Sequence, residues 1–319
     1  MTMRALTAFL CALLACCATG AAAQGYPAKA IRLVSPFPAG GGIDAIARLA
    51  AQALSEQMGQ QVLVDNRGGA GGRIAMELVA KSPPDGYTLI MANVGPFAIT
   101  PASGIELRFD PVRDFHPVSL LATADYILTV HPSLPVRTVK DLLALARAKP
   151  GALNYASSGN ISGPHLSGEL LNLLGKVKIT HVPYKGNAPA AIALLSGEAA
   201  IMFGRGSVLP YIGTGKLRGI ATTATKRSTP GLPTIAETLP GYEILQWYGI
   251  LVPAATPKEI VARLNKEIAI ALAKPKIAQA YAAAGVEPAP GTPETFAALM
   301  KAETTRYAKL IKAAGIKPE

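Results

Sequence analysis

Apolar positions along the chain follow two alternating rhythms. "AIRLVSPF" (30–37), "QVLVDN" (61–66) and "YTLIMAN" (87–93) are short apolar runs bounded by turn-forming residues, and they read as buried strands. Between the first two, Ile46, Leu49, Ala50, Ala53 and Leu54 recur at helical spacing. They predict a helix over 43–58 stopped by Gly59, and a second helix follows over 74–81. The pattern resumes in mid-chain. "PVSLLATADYILTVHP" reads as a pair of strands; "TVKDLLALARAKPG", "GPHLSGELLNLLG" and "NAPAAIALLSGE" read as helices set among further strands. The tail over 257–315 is largely helical. Strand, loop and helix repeated in this way predict α/β architecture, with mostly parallel sheets covered by helices. The order fits two units, 125–224 inserted between 24–124 and 225–319, with chain crossings near 121–127 and 221–248.

The loop after the first strand is unusual. "PAGGGID" places three consecutive glycines at the head of a helix, where each costs conformational entropy. In an open parallel sheet, ligands sit beyond the carboxyl ends of the strands, facing helix N-termini. Glycines there let a ligand approach unpaired amides, and the helix dipole favours an anion. Asp44 would cap the helix or serve as its first-turn acid. A flexible turn is the alternative.

Composition narrows the setting. The chain has 319 residues, half of them apolar and 16% charged, enough for two cored domains and unlike a disordered chain. Met1 to Arg4 and the apolar run "ALTAFLCALLACC" lead to "AAAQ", an export signal cut after Ala23. Cys11, Cys16 and Cys17, the only cysteines, all lie inside it. A lipoprotein cut at "LLAC", leaving acylated Cys16 as the N-terminus, is the competing processing route. No later stretch offers about 18 uninterrupted apolar residues. Losing 1–23 removes one arginine and leaves 30 basic against 20 acidic side chains, a net of +10. Those cations are scattered, which suits attraction of small anions better than nucleic acid.

Catalytic and cofactor patterns fail. "GGAGGRI" carries Ile74 where the dinucleotide fingerprint needs glycine or alanine. "GNISG" puts Ser162 one place late for a nucleophile elbow. His116, His131, His165 and His181 lack metal-ligand spacing. No cofactor or metal is expected, and a binding protein is favoured over an exported hydrolase or transferase.

Many phrases in one order carry a resemblance: "YPAKAIRLVSPFPAGGGIDAIARLAAQALSEQMGQQVLVDNRGGAGG", "PPDGYTL", "DPVRDFHPVSLL", "LNYASSGN", "HVPYKG", "WYGILVPAATP" and "AAGIKPE". From Tyr26 onward the chain resembles the Bug family, the extracytoplasmic solute receptors of tripartite tricarboxylate transporters. The resemblance implies a type II periplasmic-binding-protein fold, two α/β lobes joined by two crossing strands with the ligand cleft between them. It also implies a small carboxylate ligand, a periplasmic location, and integral membrane subunits or a sensor kinase as partners of a monomer.

Carried over residue by residue, the resemblance sets the 37–44 loop against the carboxylate through Phe37, Ala39, Gly40, Gly41 and Asp44. From the second lobe it brings Ser157, Ser158 and Gly159, unless a serine only caps the following helix. His165 would point into the cleft or stay structural. Tyr184 would hydrogen-bond the ligand, and Lys185 would join it or remain a solvated charge. Two departures stand out. "FGRGS" replaces the family's F-D-N, so Arg205 adds a planar cation suited to a carboxylate, or else forms a salt bridge elsewhere. "NVGPFAIT" brings Gly95 and Phe97 to the wall and makes it more apolar, unless Phe97 is core. Together they suggest an aromatic or linear dicarboxylate. Trp247, the only tryptophan, would pack at the hinge.

Overall fold

The computed structural model describes residues 25–227 and 229–317, so the signal segment, its cysteines and the alternative acylation point lie outside the described residues. In β1 (Ile31–Ser35), the neighbours Leu33 and Val34 are both fully buried, so both faces of the strand are covered at once. Helices above and below are required, and such a strand is apolar throughout rather than alternating. α1 (Gly42–Met58) supplies one cover through Ile46, Ala50 and Leu54, and ends at Gly59 in the left-handed region. β2 (Val62–Asn66), α2 (Arg73–Ala80) and β3 (Thr88–Asn93) follow.

After a π-helical turn at Gly95–Ile99, β4 (Phe115–Asp125) crosses the sheet. A single residue, Tyr126, separates it from β5 (Ile127–Val130), which belongs to a second sheet. That unit continues through α3 (Val139–Ala148), β6 (Asn154–Ser157), α4 (Gly163–Gly175), β7 (Thr180–Pro183), α5 (Asn187–Leu195), β8 (Ile201–Gly204) and β9 (Arg218–Thr222). The chain then returns to the first sheet as β10 (Leu245–Pro253). It ends with α6 (Lys258–Leu272), α7 (Pro275–Ala283), β11 (Glu287–Pro288) and α8 (Pro293–Ala314).

The sheets have strand orders β11-β4-β10-β3-β1-β2 and β7-β6-β8-β5-β9. β2, β1 and β3 are parallel, as are β7, β6 and β8. The expectation of mostly parallel sheets needs correction elsewhere. β10 runs antiparallel to β3 and β4, and β5 runs antiparallel to β8 and β9. The cause is topological: the chain leaves the first sheet at the end of β4 and re-enters at that same end, so exit and return strands must oppose each other.

The two crossings are bonded into one joint. Tyr126 N–H donates to Thr223 Oγ1 at 2.8 Å, and Thr223 N–H returns a bond to the Tyr126 carbonyl at 2.9 Å. Thr223 Oγ1 in turn donates to the Ile244 carbonyl at 2.7 Å. Beside this joint one hydrophobic cluster runs through residues of both sheets, with fully buried Trp247 edge-on to Phe296 of α8. Gly249 makes that seating possible: a Cβ there would stand 2.3 Å from Phe296 Cζ and 2.9 Å from the Ser119 carbonyl oxygen. Gly249→Ala should therefore cost about 1–3 kcal/mol through overpacking, read as a lowered urea midpoint. An unchanged midpoint would mean that α8 is not seated on β10.

Candidate functional site

The carboxyl ends of β1 and β3 face those of β6 and β7 across a cleft of about 910 Å³, within the usual range for small-molecule sites. The first-sheet wall includes Phe37, Ala39, Gly40, Gly41, Arg73 and Gly95. The opposite wall includes Ser158, Ile161, Ser162, Lys185, Gly186 and Asn187. Tyr126, Gln246 and Tyr248, from the crossing chains, form the floor. Among the described residues, Arg73 and Lys185 are the charged ones lining this space, one on each wall, and no carboxylate lines it.

Backbone dipoles add to that sign. α1 starts at Gly41 and α5 at Gly186, and neither of these N-caps carries a side-chain hydrogen bond. The opening amides of a helix have no intrahelical partner, and the dipole makes that end partly positive. Gly41 and Gly42 present open space where side chains would stand: a Cβ at Gly42 would meet nothing within 4 Å, and one at Gly41 only the Pro38 carbonyl. An anion can thus approach both walls. Asn93 also lines the cleft, and its Oδ1 is buried with no hydrogen-bond partner among the described residues.

Gly40 behaves differently from its neighbours. Its φ of 83° explains the glycine, and its amide is already engaged, donating to Asp44 Oδ2 at 2.9 Å. Asp44 lies beneath the loop rather than on the cleft surface. Its carboxylate also accepts from Arg48 and from Asn66, while Asn66 reaches the Phe37 carbonyl at 3.0 Å. Burial pushes this carboxyl up, but bonds from Arg48, the Gly40 amide and Asn66 outweigh burial and hold it below the usual range. Asp44 is the knot that shapes the glycine loop.

The second-lobe loop is tied from behind as well. Ser157 is fully buried and does not line the cleft; its Oγ donates to the Gly159 carbonyl at 3.0 Å and accepts from the Gly159 amide. His181 Nε2 lies 2.6 Å from the same oxygen. Gly159, at φ 129°, also sits behind the wall. The helix-capping serine is Ser162, which accepts from His165 N–H. His165 is buried and stacked on His181 at 3.8 Å between ring centroids, and its Nδ1 accepts the Ile161 amide at 3.0 Å. That bond holds a β-branched residue at φ 57°, a strained conformation concentrated at functional sites.

Three further expectations are corrected. Phe97 points into the core, edge-on to Phe115 at 5.3 Å, because the π-helical turn rotates it away from the cleft. Tyr184 donates to Glu198 at 2.8 Å instead of facing the cleft. Arg205 lies behind the crossing chains, paired with Asp125 and donating to the Gly285 carbonyl. Arg73 and the floor residues were missed. For Arg73 the signal was available, a cation directly after a glycine loop; for Tyr126 and Gln246 it was not, since their meeting depends on the crossing.

The chain falls in the class of two-lobed cleft proteins, and comparisons fix its family. The model of the tripartite tricarboxylate transporter family receptor matches residues 46–316, and the chain belongs to that family. It is 35% identical over 300 residues to Protein BugT of Bordetella pertussis, covering 92% of each chain. Among solved structures, R. palustris Rpa4515 with adipate is similar at 39% identity and TM-score 0.84, over 92% of this chain and 100% of that one. MatC from Rhodopseudomonas palustris with bound malate is similar at 30% identity and TM-score 0.77, over 90% of this chain and 100% of the other. The type II periplasmic-binding-protein architecture expected from the resemblance is the one these neighbours share.

The histidine stack gives the site a pH dependence. Burial lowers His165 to about 4, helped by neighbouring His181, and burial alone lowers His181 to about 4. An unfolded chain takes up these protons near 6.5, so the stabilisation is complete above that pH and drains away as pH falls toward about 4. Urea midpoints should drop across this window, and His165→Asn with His181→Asn should flatten the slope. An equally steep slope in the double variant would clear the pair of this role.

Proposed function

We propose that this protein is a periplasmic receptor that captures a small organic carboxylate in the cleft, without turning it over, and delivers it to membrane subunits of a tripartite transporter or to a sensor kinase. The observation that carries the reading is the sign of the cleft: a cation and an uncapped helix start on each wall, and no acid among the lining residues. A carboxylate meeting several such donors gains charge-assisted hydrogen bonds. The binding residues we assign are the Gly41 and Gly42 amides with Arg73 on one wall, and Ser158, Lys185 and the Asn187 amide on the other. With one cation per wall, a dicarboxylate spanning the cleft suits the site better than a monocarboxylate. The adipate of Rpa4515 and the malate of MatC are consistent with this.

Binding rather than catalysis is favoured by the position of Ser157. The Ser157–His181 pair sits beneath the loop with Ser157 fully buried, out of reach of a molecule in the cleft. We further assign lobe 1 to 24–124 with 225–319 and lobe 2 to 125–224, a monomer released after loss of 1–23. No helix among the described residues is long and apolar enough to cross a membrane.

A thermal-shift panel of linear, branched and aromatic diacids beside amino acids tests the reading. A ligand selective for the folded state stabilises it by about 2.7 kcal/mol at one hundred times its dissociation constant. Diacids should raise the melting temperature, and Arg73→Ala or Lys185→Ala should each weaken binding roughly tenfold or more, as expected for one lost charge-assisted bond. Stabilisation by uncharged solutes alone, unaffected by either variant, would contradict it.

A further inference from the structure

Residues of the crossing chains line two separate cavities. Tyr126, Gln246 and Tyr248 line the ligand cleft, whereas Asp125 and Leu245 line a second cavity of about 550 Å³. The two cavities share no lining residue although Asp125 and Tyr126, like Leu245 and Gln246, are chain neighbours, so the crossing chains separate them and the second lies behind the joint. Arg205, directly after β8 of the second sheet, extends into it. Its guanidinium pairs with Asp125 at the end of β4 and donates to the Gly285 carbonyl, in the turn between α7 and β11. Gly285 is held to the first sheet through β11, whose Glu287 is in register with Thr123 of β4. Arg205, on the second lobe, is therefore fastened from the rear to the crossing at the end of β4 and to the Gly285 turn of the first lobe. Across the front, among the described residues, the 37–42 loop and the 185–187 segment share no hydrogen bond with each other.

A rotation about the crossings that narrows the cleft must widen the space behind them. Asp125 adjoins the crossing at Tyr126, whereas Gly285 belongs to the first lobe, so closure pulls on the Gly285 contact. We propose that Arg205 is a rear latch that holds the ligand-free receptor open and thereby sets its affinity from outside the binding site. The idea rests on the reading that the lobes close around a ligand. Apparent affinity falls with the fraction of molecules able to adopt the closed state, so a latch that depletes that fraction weakens binding. Releasing it strengthens binding, the opposite of what removing a ligand-contacting arginine would do.

Spin-label distances test this in the ligand-free protein. Residues 24–319 contain no cysteine, so Ile74→Cys on α2 and Ile192→Cys on α5, both exposed, give one label on each lobe. Relative to the unaltered latch, Arg205→Ala and Asp125→Asn should shift the distance distribution to shorter values. Arg205→Lys, which keeps the charge but loses the two-pronged donor, should fall between. Circular dichroism would verify folding of each variant. With adipate as probe, calorimetry should show affinity rising on the order of fivefold in Arg205→Ala, the low end of couplings between separate sites. Unchanged distances in folded variants would overturn the latch, as would weaker adipate binding by Arg205→Ala. If the unaltered protein binds no acid, the carboxylate reading fails, while the distances still decide the latch.

Discussion

Where a parallel strand gives way to a helix, the first amides of that helix have no carbonyl beneath them, and some partner must satisfy them. In many helices a serine or aspartate does so. Here α1 and α5 begin at Gly41 and Gly186, which have no side chain to offer. One of these starts belongs to the first sheet and one to the second, and both open toward the space between the sheets. The rest of the molecule keeps that arrangement in place. Buried parallel strands set the helix origins, the Asp44 knot shapes the glycine loop, and the Ser157–His181–His165 stack supports the loop opposite.

How much of this the sequence discloses depends on the range of the interaction. Strands buried on both faces must be apolar, so β1 and β3 are readable from a handful of residues. Helices with a stripe of Ile, Leu and Ala are equally plain, and α4 occupies the same thirteen residues as its predicted run. The direction of β10 is not readable, since it depends on where the chain re-enters a sheet it left more than a hundred residues earlier. Arg205 shows the same limit at the level of a side chain. Its position after a strand suggests a cleft residue, but the crossing places Asp125 and Gly285 behind the joint, and the guanidinium goes to them. Phe97 is turned inward by a π-helical turn that no local pattern announces.

The glycine loop itself is only partly what its composition suggests. Gly40 is demanded by its left-handed backbone, and its amide is spent on Asp44. The open donors start one residue later, at the helix origin. This division assigns distinct tasks within one tripeptide: Gly40 turns the chain, while Gly41 and Gly42 keep the approach clear. Front and rear of the joint are likewise distinct, with neutral and cationic donors facing the ligand and a paired arginine facing away.

Backbone amide NMR during titration with adipate tests the central claim most directly. Large, saturable shifts at the amides of Gly42, Ile43 and Asn187, from both sides of the cleft, are the result this account predicts. Saturable binding that leaves all three unmoved, with shifts confined to other surfaces, would contradict it.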